Sequence, residues 1–138
     1  MSALVSPHVT GLLLQILPTV FLAILFLQSG LDKVVDRKGN LAWLTGHFAK
    51  SPLCEVVPTM LAVITVMEVG AGLVSAVGAG ALVIGSGPEL AFLGAALSAL
   101  SLTGLFFGQR IAKDYAGAAA LVPYFLLTLV AMYLERGA

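Results

Sequence analysis

The chain has 138 residues, of which 59% are hydrophobic and only 10% charged, with a mean hydropathy of +1.05. A soluble domain carries about 25% charge and about 45–50% apolar residues, and a chain of this size still exposes roughly 30% of its unfolded surface, so the apolar excess excludes a water-soluble globule. Seven Lys+Arg balance seven Asp+Glu, leaving no basic arm for nucleic acid, and the single cysteine, Cys54, excludes an internal disulfide, a CxxC pair and a cysteine-rich metal site.

In chain order, the first apolar block runs over about residues 9–31 without a charge. Met1 to Gly11 hold no Lys or Arg, so this block lacks the positive flank of a signal peptide and is expected to be retained as a span. The second covers about 58–84 and contains one charge, Glu68. The third, about 90–108, and the fourth, about 116–134, are uncharged. Each block reaches the 18 or so residues that cross a hydrocarbon core of roughly 30 Å. Lipid offers no partner to a backbone amide, so each must pair its own amides as a helix.

The connections differ in length and charge. Loop one holds Lys33, Arg37, Lys38 and Lys50; loop two is a tight turn on Gly87-Pro88; loop three holds Arg110 and Lys113. Six of the seven basic side chains thus fall on one face, against Arg136 on the other. The excess of positive charge in cytoplasmic loops then predicts both termini outside. Within loop one, Leu41, Leu44 and Phe48 recur at helical spacing, with Trp43 beside them and Lys50 at the end. The segment of about 41–50 reads as a short amphipathic interfacial helix or as a linker helix packed on the bundle.

Small or weakly polar stripes run along three spans. They comprise Thr65, Glu68, Gly72, Ser75 and Ala79; then Gly94, Ser98, Ser101, Gly104 and Gly108; then Gly117, Ala120, Tyr124, Thr128, Ala131 and Glu135. Small residues let helices approach closely, so the stripes are expected to face one another and the Leu, Val and Phe faces to meet lipid. Pro18 and Pro123 are expected to kink spans one and four. The fold class that follows is an all-α integral membrane protein. It is a single domain over 1–138, an antiparallel bundle of four transmembrane helices with a short interfacial helix between the first two.

Glu68 is the sharpest single feature. It follows Pro58 by ten residues, so at 1.5 Å per residue it lies roughly 15 Å along the helix, near the midplane. A carboxylate there costs about 2.5–3.5 kcal/mol on insertion scales and must be paired or protonated. It reads either as a neutral group bonded to Thr65 or a nearby Ser, or as the floor of a polar cavity that takes a head group or a proton. Lys33 and Arg110 are candidate partners if the helix ends are recessed or the second span starts deeper than Pro58. Otherwise these two and Lys113 reach outward to lipid phosphates.

Cofactor signatures are sparse. A membrane haem needs two inward histidines, whereas His8 and His47 fall at opposite faces. A reactive dithiol needs two cysteines. Gly70, Gly72, Gly78 and Gly80 lie inside a helix rather than in a phosphate loop. No redox centre of the chain's own is expected, nor a metal or covalent cofactor, nor catalysis by the chain alone.

The ending Gly30-Leu31-Asp32-Lys33, Glu68 midway along span two, and the stretch Gly108-Gln109-Arg110-Ile111-Ala112-Lys113-Asp114-Tyr115-Ala116-Gly117 resemble the DoxX family of small bacterial membrane proteins. The resemblance runs along nearly the whole chain. It implies a multi-pass protein of the bacterial inner membrane, with Lys33, Glu68, Arg110 and Asp114 as family-type polar residues. Because the family takes its name from a subunit of a thiosulfate:quinone oxidoreductase, the resemblance also implies an accessory subunit of a membrane oxidoreductase. Such a subunit would line a quinone site with Glu68, Arg110 and Tyr115. The residues leave open two other functions: a small carrier or lipid-interacting protein using Glu68 as its proton- or substrate-binding group, and a ligand-free homo-oligomeric scaffold. Expected partners are membrane lipids and either further copies or a larger membrane complex, without nucleic acid. The charge asymmetry yields the first prediction: a reporter fused after Ala138 reads as extracytoplasmic, and cytoplasmic activity of that fusion reverses the orientation.

Overall fold

The computed structural model describes residues 6–137; the extreme ends of the expected domain, 1–5 and 138, lie outside the described residues. The chain folds into α1 (Pro7–Val35), α2 (Arg37–His47), α3 (Val57–Val83), α4 (Glu89–Ile111), α5 (Tyr115–Ala120) and α6 (Val122–Glu135), with no strand among the described residues. Four stretches are long and apolar enough to cross a membrane: α1, α3, α4, and α5 with α6 taken together.

Local chemistry sets the ends of these helices. Ser6 caps α1 by accepting from the Val9 amide at 3.3 Å, and Pro7 takes the first helical position, where no N–H is needed. Asp36 closes α1 through its own backbone N–H to Asp32 O and opens α2 by accepting from the Gly39 amide at 3.2 Å. α2 therefore occupies 37–47 rather than the expected 41–50, because the capping carboxylate of Asp36, not the apolar spacing, decides where it starts. α3 passes to α4 through a turn in which Gly85 and Gly87 both take left-handed φ, +79° and +101°. α4 runs to Ile111, three residues past the expected end, with Arg110 in its last turn. After it Lys113 sits at φ 61°, the left-handed position that often ends a helix.

The two prolines behave differently. α1 continues as one helix through Pro18. The expected single fourth span is instead broken at Leu121, between α5 and α6. Pro123 lies just after the break, and its missing N–H deprives Ala119 of a helical partner.

Packing follows the small residues for most of their length. On α3, Glu68, Gly72, Ser75 and Ala79 are buried; on α4, Gly94, Ser98 and Ser101 are buried; on α6, Thr128, Ala131 and Glu135 are buried. Gly78 faces Ala91 and Gly94 faces Ser75, so α3 and α4 pass each other in opposite chain directions. A Cβ on Gly94 would stand 2.8 Å from Ser75 Cα, closer than two backbones can accommodate. Leu22, Phe26, Ala71, Ala95, Leu102 and Ala131 form the apolar core between these faces. The expected stripe fails at its lower ends: Gly104, Ala120 and Tyr124 are exposed. Nothing lies within 4 Å of a Cβ built on Gly104, because α4 has there diverged from its neighbours around an open cleft.

The close approach predicts an asymmetry between two glycines of one helix. Gly94→Leu destabilises the detergent-solubilised protein by about 1–3 kcal/mol through overpacking. Gly104→Leu and the exposed Leu93→Ile leave the melting temperature essentially unchanged. Equal losses for Gly94→Leu and Gly104→Leu in a thermal unfolding assay contradict the packing.

Candidate functional site

Glu68 lies eleven residues into α3, about 16 Å along the helix at 1.5 Å per residue, yet it meets the last turns of α1. The register explains this. Gly30 lies against Val69 and Leu27 against Gly72, so the two helices run in opposite directions and the end of α1 falls opposite the middle of α3. A Cβ on Gly30 would come within 2.9 Å of the Val69 amide nitrogen, so glycine at that position allows the approach. The first turns of α3 therefore project beyond α1, so the end of α1 is recessed relative to the start of α3, as the pairing of Lys33 with Glu68 requires.

Lys33 Nζ sits 2.8 Å from Glu68 Oε1, an ion contact outside the angular range of a good hydrogen bond, and donates to Ser29 Oγ at 3.0 Å. The Glu68 side chain is 2% exposed and that of Lys33 16%. A buried carboxylate without a cation is expensive, and an ammonium from the adjacent helix supplies the compensation. Thr65, a candidate hydrogen-bond partner for Glu68, instead donates to its own Leu61 carbonyl at 2.6 Å.

Lys33 also lines a cleft of about 550 Å³ between α2, the first half of α3 and the last turns of α4. Leu44, Phe48, Met60, Ile64, Met67 and Phe107 supply its apolar walls; Trp43, Asn40 and Gln109 add polar atoms at the α2 side. The three N–H groups of the ammonium are not all used by Ser29 and Glu68, so one can meet an acceptor inside the cleft. Asn40 is already committed, its amide donating to Asp36 O at 2.9 Å. A smaller groove of about 310 Å³ lies at the α5–α6 break, lined by residues such as Phe106, Leu121 and Phe125 without a charged group.

The remaining candidates go elsewhere. Arg110 is exposed, and its guanidinium stacks on the Tyr115 ring with 4.3 Å to the centroid; the structure does not bring it to Glu68. Asp114 caps α5 by accepting from the Gly117 amide at 2.9 Å and lies 3.6 Å from His47 Nε2. The five expected polar residues thus split into the pair Lys33–Glu68, the pair Arg110–Tyr115, and Asp114 alone with His47.

His47 was not among the candidates, yet it ties α2 to α4. Its Nε2 and Gln109 Oε1 are 2.8 Å apart, which makes the nitrogen the donor, and Trp43 stacks on its ring at 4.6 Å. The signal available in the sequence was the Trp43/His47 spacing of four on one helix, with Gln109 at the end of α4 and Asp114 just after it. Among the described residues no three His, Cys, Asp or Glu side chains stand close enough to hold a metal.

Spans and site together define a multi-pass helical membrane protein with a charge pair at one edge of a mostly apolar cleft. Comparisons with family models, with curated proteins and with solved structures found no match.

The geometry predicts energetic coupling between Lys33 and Glu68 and none between Glu68 and Arg110. Glu68→Gln and Lys33→Met each destabilise by about 1–3 kcal/mol, because each leaves a partly buried group without its partner. Their double mutant recovers part of the loss, with an interaction energy of about 0.5–3 kcal/mol, while Glu68→Gln with Arg110→Gln adds to within about 0.5 kcal/mol. Additivity in the first cycle, measured by unfolding in bicelles, contradicts the ion pair.

Proposed function

We propose that this chain is an accessory, non-redox-centre subunit of a membrane oxidoreductase, of DoxX type, that holds a quinone in the α2–α3–α4 cleft. One observation carries the reading: a mostly apolar cleft of about 550 Å³ with an ammonium at its edge. A quinone needs an apolar slot for its ring and tail and a donor for its carbonyl oxygen, and apolar pockets with a few fixed polar groups are the usual form of small-molecule sites. Lys33 meets that need with a donor held in place by Glu68, and Gln109 contributes a side-chain amide at the α2 side of the cleft. The quinone, when bound, would supply the electron-carrying chemistry; the residues of the chain bind and orient it. The roles for Arg110 and Tyr115 move outward in this proposal, to a cation–π pair at the membrane surface.

In the same reading the four spans form an antiparallel bundle in the bacterial inner membrane, with α2 lying in the interface. Trp43 is 61% exposed on that helix, as suits a headgroup-level ring. The carrier reading, in which Glu68 itself takes a proton or substrate, is less well supported, because Lys33 already occupies the carboxylate.

Trp43 is the only tryptophan and lines the cleft, so its fluorescence reports occupancy directly. A short-chain quinone is expected to quench it saturably in the purified protein. Lys33→Met weakens the apparent affinity about tenfold, equivalent to about 1.4 kcal/mol, and Gly104→Phe fills the cleft and removes saturation without unfolding the protein. Linear quenching that is identical in all three proteins overturns the quinone site. Saturable protection by a phospholipid but not by the quinone would assign the cleft to lipid instead.

A further inference from the structure

The second buried glutamate lies at the other end of the bundle. Glu135, in the last turn of α6, is 1% exposed, and Thr19 on α1 is equally buried. Thr19 Oγ1 is 2.7 Å from the Gln15 carbonyl oxygen and 2.6 Å from Glu135 Oε2. Both separations are those of O–H···O hydrogen bonds, and two oxygens so close without a hydrogen between them repel.

A threonine hydroxyl has one proton to give. On a helix its natural acceptor is the carbonyl four residues earlier, which for Thr19 is Gln15. The second contact then needs a proton from the other side, and the only source in that contact is the carboxyl group of Glu135. We propose that Glu135 is a membrane-buried proton-binding residue, held as a neutral carboxylic acid that donates through Oε2 to Thr19 Oγ1, which in turn donates to the Gln15 carbonyl.

Three further observations agree. Glu135 Oε1 is buried with no hydrogen-bond partner, which a carbonyl oxygen of a neutral acid tolerates far better than half of a charged carboxylate does. The adjacent cation does not compensate it: Arg136 turns away, stacking on the Tyr133 ring at 3.8 Å and donating to the Tyr133 carbonyl at 3.3 Å. The facing helices bring no charge to it either. α1 presents Thr19 and Gln15, the latter donating to Leu134 O at 2.9 Å, with His8 exposed a further two turns toward its start. α3 carries no ionisable side chain after Glu68, and the first turn of α4 carries only the exposed Glu89. The two buried glutamates therefore differ in kind, one neutralised by a cation and the other by its own proton.

The inference does not rest on the quinone reading, since it concerns the opposite end of the bundle and its test needs no ligand. The experiment is infrared spectroscopy of the full chain in lipid nanodiscs at neutral pH, reading the carbonyl stretch of a protonated carboxylic acid. The wild type is expected to show the band and to shift it in heavy water. Glu135→Gln loses the band, whereas Glu68→Gln keeps it. Thr19→Val, which removes the acceptor, moves the band to higher frequency, and Thr19→Ser, which restores a hydroxyl, returns it; this pair decides the matter even if Glu135→Gln does not fold. A wild type without the band, or a band unmoved by Thr19→Val, overturns the proposal.

Discussion

A carboxylate in the middle of a membrane helix has to find a cation or keep its proton, and the way Glu68 meets that demand organises one end of this protein. Its partner, Lys33, belongs to a different helix, so α1 and α3 must lie in the register that sets Gly30 against Val69. That register leaves the first turns of α3 projecting beyond the end of α1. Their apolar side chains have to be covered, and α2 with the buried Phe48 folds beneath them. The cover is incomplete, and the space left between α2, α3 and α4 is the cleft. Charge compensation, helix register and cavity are thus one construction.

At the opposite end a different economy holds. There α1 and α6 meet through the Thr19–Glu135 and Gln15–Leu134 hydrogen bonds, with no ion pair to Glu135 among the described residues. Between the two ends the contact faces are small and weakly polar, and serines such as Ser98 and Ser101 return their hydroxyls to their own helix at 2.7 Å and 2.9 Å. Those bonds satisfy the hydroxyls without demanding a partner across the interface, so helix spacing is set by backbone approach rather than by polar pairing. The outward faces, with Leu17, Ile24, Val66, Leu100 and Tyr133 well exposed, are what hydrocarbon covers in place of protein.

The spans were legible because hydrophobic length is a one-dimensional property: the ends of α3 differ from the reading of Pro58 to residue 84 by a single residue. The second-order features were less so. α2 begins at Arg37 because of the Asp36 cap, a signal overlooked beside the apolar spacing of Leu41, Leu44 and Phe48. Gly104 followed the periodicity of Gly94 and Ser98 yet faces open space, since periodicity states which residues share a face and not how far that face stays covered. Of the site, Glu68 was evident as the one charge in its block. Its partner was one of two candidates, and only the three-dimensional register of α1 against α3 separates Lys33 from Arg110. His47 was weighed only as a haem ligand, because its partners, Gln109 and Asp114, are more than sixty residues away in the chain.

The central claim is that the Lys33 ammonium and the Glu68 carboxylate are in direct contact between α1 and α3. A nitrogen–carbon dipolar recoupling measurement by solid-state NMR, with Lys33 Nζ and Glu68 Cδ selectively labelled in lipid, tests it most directly. The account predicts strong dephasing, as an Nζ–Oε1 separation of 2.8 Å requires. Dephasing indistinguishable from that of a Glu68→Gln control would place the two groups apart and contradict it.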